Sequence, residues 1–153
     1  MRAVVQRVTR AEVRVDGRVQ GRIGAGLVVL AGVGAQDTLQ AAESLAKKVL
    51  NLRILDDGQR RMNRSMVEAG GGILCVSQFT LCGDARHGRR PSYTGAASPA
   101  AAKPVYEHFV ETVRCLAAPL AITVESGQFQ AMMEVELVND GPVTVLLDTE
   151  KAF

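Results

Sequence analysis

The sequence predicts an α/β fold: a single domain over residues 1–153, with two packed β layers and helices outside. Three observations carry this. Ala11, Val13 and Val15 alternate with Glu12, Arg14 and Asp16, the period-two pattern of a strand with one buried face. Two continuous apolar runs, 27–33 and 72–76, read as interior strands buried on both faces. Each run is followed by a stretch with helical spacing, which makes two strand–helix units. With a hairpin before them and three strands after, the order is ββ(βα)2βββ. Two sheet layers under external helices would bury both kinds of strand. A chain of 153 residues is long enough for one such core, and 47% apolar with 22% charged residues is ordinary for a globular protein.

Residues 3–9 read as a strand with a partly buried face, and the alternating stretch follows it. Asp16-Gly17 is a hairpin turn signal, and residues 18–23 return. Gly24-Ala25-Gly26 breaks the chain before the run that begins at Leu27. Asp37 opens the first helix, with Gln40 three residues on as a capping box and Thr38 as the alternative cap. Leu39, Ala42, Leu45 or Ala46, Val49 and Leu52 follow one helical face, and Gln40, Glu43, Lys47 and Lys48 take the wet side. Arg53-Ile54-Leu55 starts a short strand that Asp56-Asp57-Gly58 turns. Arg60, Arg61 and Arg64 make a basic spot around Met62-Asn63. Gly70-Gly71-Gly72 leads into the second apolar run. Ser98-Pro99 is an N-cap and N1 pair for the second helix, with Val105, Phe109, Val113 and Leu116 on one face. Pro104 lacks a backbone donor, so this helix either kinks there or starts its regular part there. Pro119 ends it. Strands are expected at 121–125, 131–138 and 143–148.

Composition narrows the function classes. A net charge of +2 does not argue for nucleic acid unless the charge is clustered locally. No apolar run approaches the ~20 residues of a membrane span. The first residues read as strand and not as a signal peptide, so a cytoplasmic location is expected. Cys75, Cys82 and Cys115 show no CxxC or ligand spacing and are expected to be reduced thiols, with Cys75 in the core. His87 and His108 have no metal-type partners nearby, so neither a metal nor a cofactor is expected.

Polar chemistry concentrates where the second apolar run ends, at Ser77-Gln78-Phe79-Thr80-Leu81. A buried strand opening into a polar turn holds side chains rigidly and leaves them accessible. No His, Asp or Glu lies among these five residues, so no Ser/His/Asp triad is written locally. The same hydroxyls can instead cap a strand end. Arg86, His87, Arg89 and Arg90 follow as a basic loop, suited to phosphates or simply to water. Asn139-Asp140-Gly141-Pro142 reads as the tip of a hairpin between two apolar strands.

Taken in order, the chain carries Arg2-Ala3-Val4-Val5-Gln6-Arg7-Val8, Gly24-Ala25-Gly26-Leu27, Met62-Asn63 and Ser77-Gln78-Phe79-Thr80-Leu81. It goes on to Gly88-Arg89-Arg90-Pro91-Ser92-Tyr93, Ala96-Ala97-Ser98-Pro99 and Leu137-Val138-Asn139-Asp140-Gly141-Pro142-Val143-Thr144. In these motifs the chain closely resembles the D-aminoacyl-tRNA deacylase family, nearly end to end. The resemblance implies a deacylase-like barrel or sandwich. It implies hydrolysis of the ester joining a D-amino acid, or glycine (as in glycyl-tRNA formed on tRNA(Ala)), to the 3′-terminal adenosine of tRNA. It further implies a homodimer with active sites at the subunit interface, and neither DNA nor a membrane as a partner. In this picture Gly141-Pro142 is cis and reaches into the partner's site. There it rejects L-amino acids by steric clash and grips the amino group through main-chain carbonyls. Glycine has no side chain to clash, so such a wall cannot exclude it.

The motif of Ser77, Gln78, Phe79 and Thr80 would line the same pocket, with Ala97 among the substrate-binding residues. Backbone N–H groups around Gln78 and Phe79 are candidates for the oxyanion hole. Thr80 is either a nucleophile or a residue that positions water or the terminal ribose; it lacks a neighbouring base, which favours positioning. Arg7 either braces the Gly-Pro segment or is a surface arginine. Phe129 and Met133 either contact the terminal adenine or pack in the core. Arg86, Arg89 and Arg90 are the candidates for binding tRNA phosphates. The chain departs from the family pattern where the family has a basic residue at Gln128, a small one at Gln130 and an aspartate at Met132.

Overall fold

In a computed structural model, which describes residues 1–59 and 61–152, the elements follow in the order β1 (Arg2–Val15), β2 (Arg18–Ile23), β3 (Gly26–Gly32), α1 (Leu39–Asn51), β4 (Leu55–Asp56), β5 (Met62–Arg64), α2 (Met66–Ala69), β6 (Gly72–Ser77), α3 (Pro99–Ala117), β7 (Thr123–Ser126) and β8 (Glu134–Asp148). Asp16 and Gly17 turn the β1–β2 hairpin with positive φ at both positions. The first half of β1 also pairs antiparallel with β3, and its second half with β2. From β3 the sheet continues through β6 and β7 by parallel pairing. Antiparallel β8 covers the opposite edge of β1 along almost its whole length.

This sheet curls until its ends approach. A Cβ on Gly21 of β2 would lie 3.1 Å from Glu125 Cβ of β7, so glycine lets the two strands close against each other. The result is a nearly closed barrel with helices outside, and the two expected β layers are opposite walls of one curled sheet. Strand alternation divides the core in two. Leu27, Val29, Ile73 and Cys75 point outward under α1 and α3, whereas Val28, Leu74 and Val76 point into the barrel with Val8, Ala11 and Val13. Phe109 of α3 is fully buried on the outer side, and that burial contributes roughly 1.5–3 kcal/mol. No helix among the described residues is long and apolar enough to cross a membrane.

The structure corrects several local expectations. Thr38, not Asp37, caps α1: its hydroxyl accepts from the Ala41 N–H, while the Asp37 carboxylate is engaged by the Met1 ammonium and the Gly34 N–H. Leu39 and Leu116 lie outside the core, at 49% and 36% exposure: α1 buries Ala42, Leu45, Ala46, Val49 and Leu50 instead, and α3 buries Ala117 beside Leu116. Pro104 does not delimit α3, which runs unbroken from Pro99. The basic spot around Met62-Asn63 includes β5, and α2 begins behind it, where the Glu68 carboxylate accepts from the Ser65 N–H at 2.7 Å. Arg60 of that spot lies outside the described residues. The largest difference is at the C-terminus, where the two strands expected at 131–138 and 143–148 are one strand, β8.

Candidate active site

Ser77 ends β6 opposite Ala31 of β3, so the Ser-Gln-Phe-Thr motif sits at the C-terminal end of the parallel strands. This is where parallel sheets commonly place their ligands. The chain then turns across the end of β3. The Gln78 N–H donates to the Ala31 carbonyl at 2.8 Å, and Phe79–Cys82 forms one turn of 3-10 helix. Gly32 makes room for this crossing, because a Cβ there would lie 2.7 Å from the Gln78 carbonyl oxygen. Arg2 pins the turn from beneath by donating to the Leu81 carbonyl at 3.1 Å.

The turn decides which groups remain free for chemistry. The Gln78 N–H is already bonded, which removes it from the oxyanion-hole candidates. The N–H groups of Phe79 and Thr80 open the 3-10 turn and have no partner among the described residues. They are unpaired backbone donors of the kind that can stabilise an oxyanion. The Gln78 side-chain amide donates to the Thr80 hydroxyl. A carboxamide does not take up a proton at neutral pH, so Thr80 has an orienting neighbour but, among the described residues, no hydrogen-bonded base.

Other predicted residues gather at the same end of the sheet. The Ala97 N–H donates to the Val33 carbonyl at 3.0 Å, which brings the start of α3 beside the end of β3. Phe129 follows β7 and packs on Tyr106, with ring centroids 5.7 Å apart, at the margin of the outer core. Met133 instead packs against the barrel-interior cluster. The basic loop is closed at its base by two hydrogen bonds between Asp84 and Ser92, 2.7 and 2.8 Å. Arg86 folds back on Asp84 through contacts of 2.9 and 2.6 Å, which holds the Asp84 carboxyl well below the usual carboxylate range. Arg89 and Arg90 are exposed.

Gly141-Pro142 is not a hairpin tip. Both halves of β8 pair with β1, and residues 140–143 form a bulge opposite the single residue Arg7, between the pairs Gln6–Thr144 and Val8–Asn139. The peptide bond is cis and both residues are exposed. Two side chains hold the neck of the bulge. The Asn139 amide donates to the Arg7 and Val143 carbonyls, 2.9 Å each. Arg7 Nε makes an ion pair with Asp140 at 2.9 Å, and Arg7 Nη1 donates to the Ile54 carbonyl at 2.9 Å. Asn139 and Arg2 stand in the sequence motifs without an assigned role; the structure gives each a bracing one. A polar amide between the apolar runs of a strand was the available signal for Asn139.

Within one chain the two motifs do not meet. Ser77 is level with Ala3 through Ala31, and the bulge is level with Arg7 on the far side of β1. Four residues along the strand and three strands across separate them by roughly 20 Å.

A family model described as D-Tyr-tRNA(Tyr) deacylase matches residues 4–148. The chain belongs to that family. It is 57% identical to a D-aminoacyl-tRNA deacylase of Symbiobacterium thermophilum over all of this chain and 99% of the relative. It is 55% identical to one of Koribacter versatilis over the full length of both. A solved structure described as c-Myc DNA Unwinding Element Binding Protein superimposes with a TM-score of 0.90 and 40% identity, over 97% of this chain and 98% of the other. A probable eukaryotic D-amino acid tRNA deacylase gives a TM-score of 0.81 over 95% and 97% of the chains. At 19% identity, that likeness speaks for the fold alone.

Proposed function

We propose that this chain hydrolyses the ester of D-aminoacyl-tRNA, and of glycyl-tRNA, in the cytoplasm, and spares L-aminoacyl-tRNA. Family membership supports the reaction. One arrangement supports the finer reading: Phe79 and Thr80 of the turn and Gly141-Pro142 of the bulge are exposed, yet the strand registers put the two motifs roughly 20 Å apart in one chain. Two copies arranged as a homodimer would let the bulge of one subunit close the pocket of the other. An L-side chain would then meet the Gly141-Pro142 backbone, and glycine would pass.

The chemistry assigned to the pocket is modest. The Phe79 and Thr80 N–H groups stabilise the tetrahedral oxyanion, and Ser77, Gln78 and Thr80 orient water and the terminal ribose. Ala97 and Phe129 border the bound adenosine. Met133 supports the wall from inside the barrel. Arg89 and Arg90, with Arg86 released from Asp84, receive acceptor-stem phosphates.

The test is release of amino acid from D-Tyr-tRNA, L-Tyr-tRNA and glycyl-tRNA, together with sedimentation of the free protein. Release from the D and glycyl esters by a dimer, with the L ester intact, is the expected result. Release from all three, or a monomer with full D-selectivity, would overturn the bulge's role. A second reading, nucleic-acid binding without catalysis, takes its support from the neighbour described as binding a DNA unwinding element. Nucleic-acid binding with no release from any ester would establish it.

A further inference from the structure

We infer that Tyr93, backed by Phe79, is a stacking platform for the unpaired nucleotides just upstream of the tRNA's terminal adenosine. This rests on the reading above that a tRNA ester is the substrate. Phe79 and Tyr93 are 59% and 39% exposed, and their rings meet edge to face at 5.2 Å. Two touching aromatic rings open to solvent offer a surface on which a further ring can stack. The chain holds them in place: a Cβ on Gly83 would lie 2.9 Å from Tyr93 Cε1, and the paired Asp84 and Ser92 fix the backbone next to Tyr93.

Position identifies the occupant. Phe79 belongs to the same turn as the Gln78–Thr80 contact, where the reacting ester would sit. Tyr93 directly follows the Asp84–Ser92 pairing that closes the loop with Arg89 and Arg90, which are exposed and in no ion pair among the described residues. A strand entering past the arginines and ending at Thr80 would cross the rings. Every base has a face that stacks on an aromatic ring, so this contact ignores sequence, which suits an enzyme that serves many tRNAs. Arg86 contributes less, because Asp84 holds it.

The experiment uses an uncharged RNA hairpin with an unpaired 3′ end. Its penultimate cytidine is replaced by a fluorescent analogue whose emission falls on stacking. Emission should fall when the intact protein binds. Tyr93→Leu should weaken binding about tenfold, and Tyr93→Trp should restore it. Trimming the unpaired end should remove the difference between the wild type and Tyr93→Leu. Unchanged emission at saturation with the wild-type protein, or an equal loss of affinity for the trimmed hairpin, would overturn the platform. The RNA carries no ester, so the assay is independent of hydrolysis. If the protein quenches this probe but releases no amino acid from D-Tyr-tRNA, the proposed activity falls and the platform stands.

Discussion

Arg7 Nε lies 2.9 Å from Asp140 Oδ2, opposite the longer interruption of the β1–β8 ladder. The same guanidinium reaches the Ile54 carbonyl, so one side chain ties the bulge to the segment after α1. Arg7→Met should remove both links. Asp140 is about half exposed, so the ion pair itself contributes no more than about 1 kcal/mol. The Ile54 carbonyl loses a charged donor, which costs about 1–2 kcal/mol more. Urea unfolding should show the sum. An unchanged midpoint would mean that Arg7 does not brace the bulge.

Gly141 has φ +115, and a Cβ there would lie 2.9 Å from Arg7 Nη2 and 2.7 Å from Val143 Cγ2. Gly141→Ala should therefore displace the bulge at a cost of about 1–3 kcal/mol. Discrimination between D- and L-Tyr-tRNA should fall further than the rate on the D ester. A folded Gly141→Ala protein with the wild-type D/L ratio would remove Gly141 from the specificity wall.

The Thr80 hydroxyl is hydrogen-bonded to the Gln78 amide and, among the described residues, to no base. Thr80→Ala keeps the backbone N–H but removes the positioning hydroxyl, and should lower kcat roughly 10²-fold while leaving measurable turnover. Thr80→Ser should recover most of it. Mass spectrometry of enzyme quenched during turnover should find no acyl group on Thr80; an acyl adduct there would establish the nucleophile role instead.

Binding of tRNA should weaken with salt. Arg89→Ala and Arg90→Ala should each reduce the slope of log affinity against log salt by about 0.7–0.9. Arg86→Ala should reduce it less, because that guanidinium is already paired. Equal slopes in all four proteins would separate the loop from the phosphates.

Burial raises the Cys75 thiol from the ordinary value near 9 up to about 12. Its folded value exceeds its unfolded value. The unfolded chain therefore releases this proton first as pH rises, and stability declines between about pH 9 and 12. Cys75→Val should flatten that decline by up to about 1.4 kcal/mol per pH unit. Thiol titration of the native protein should label exposed Cys115 first, then Cys82, which burial also raises, and Cys75 only on unfolding.

Much of this fold was readable because local signals agreed with tertiary demands. Asp16-Gly17 turns a hairpin, Ser98 and Pro99 start a helix, and the doubly buried strands β3 and β6 show as continuous apolar runs. The failures occurred where a distant partner decided the outcome. Asp37 has the local pattern of a cap, but its carboxylate is taken by the Met1 ammonium and the Gly34 N–H. Gly141-Pro142 has the local grammar of a turn, but β1 pairs with the chain on both sides of it and keeps one strand. At the site, the polar motif was visible as composition. Which N–H groups stay free was not, because that depends on the Ala31 carbonyl reached through parallel pairing.

The bulge also imposes a parity. Val135 and Leu137 face the barrel interior before it, and Val143, Val145 and Leu147 face the helices after it. Four residues set against Arg7 carry β8 from one core to the other. Deleting one of them would turn Thr144 and Leu146 toward the helices and expose Val145 and Leu147. Chain length in this segment is thus constrained apart from composition: a residue can be exchanged within 140–143 at local cost, whereas an insertion or deletion there would miswrite every position up to Asp148.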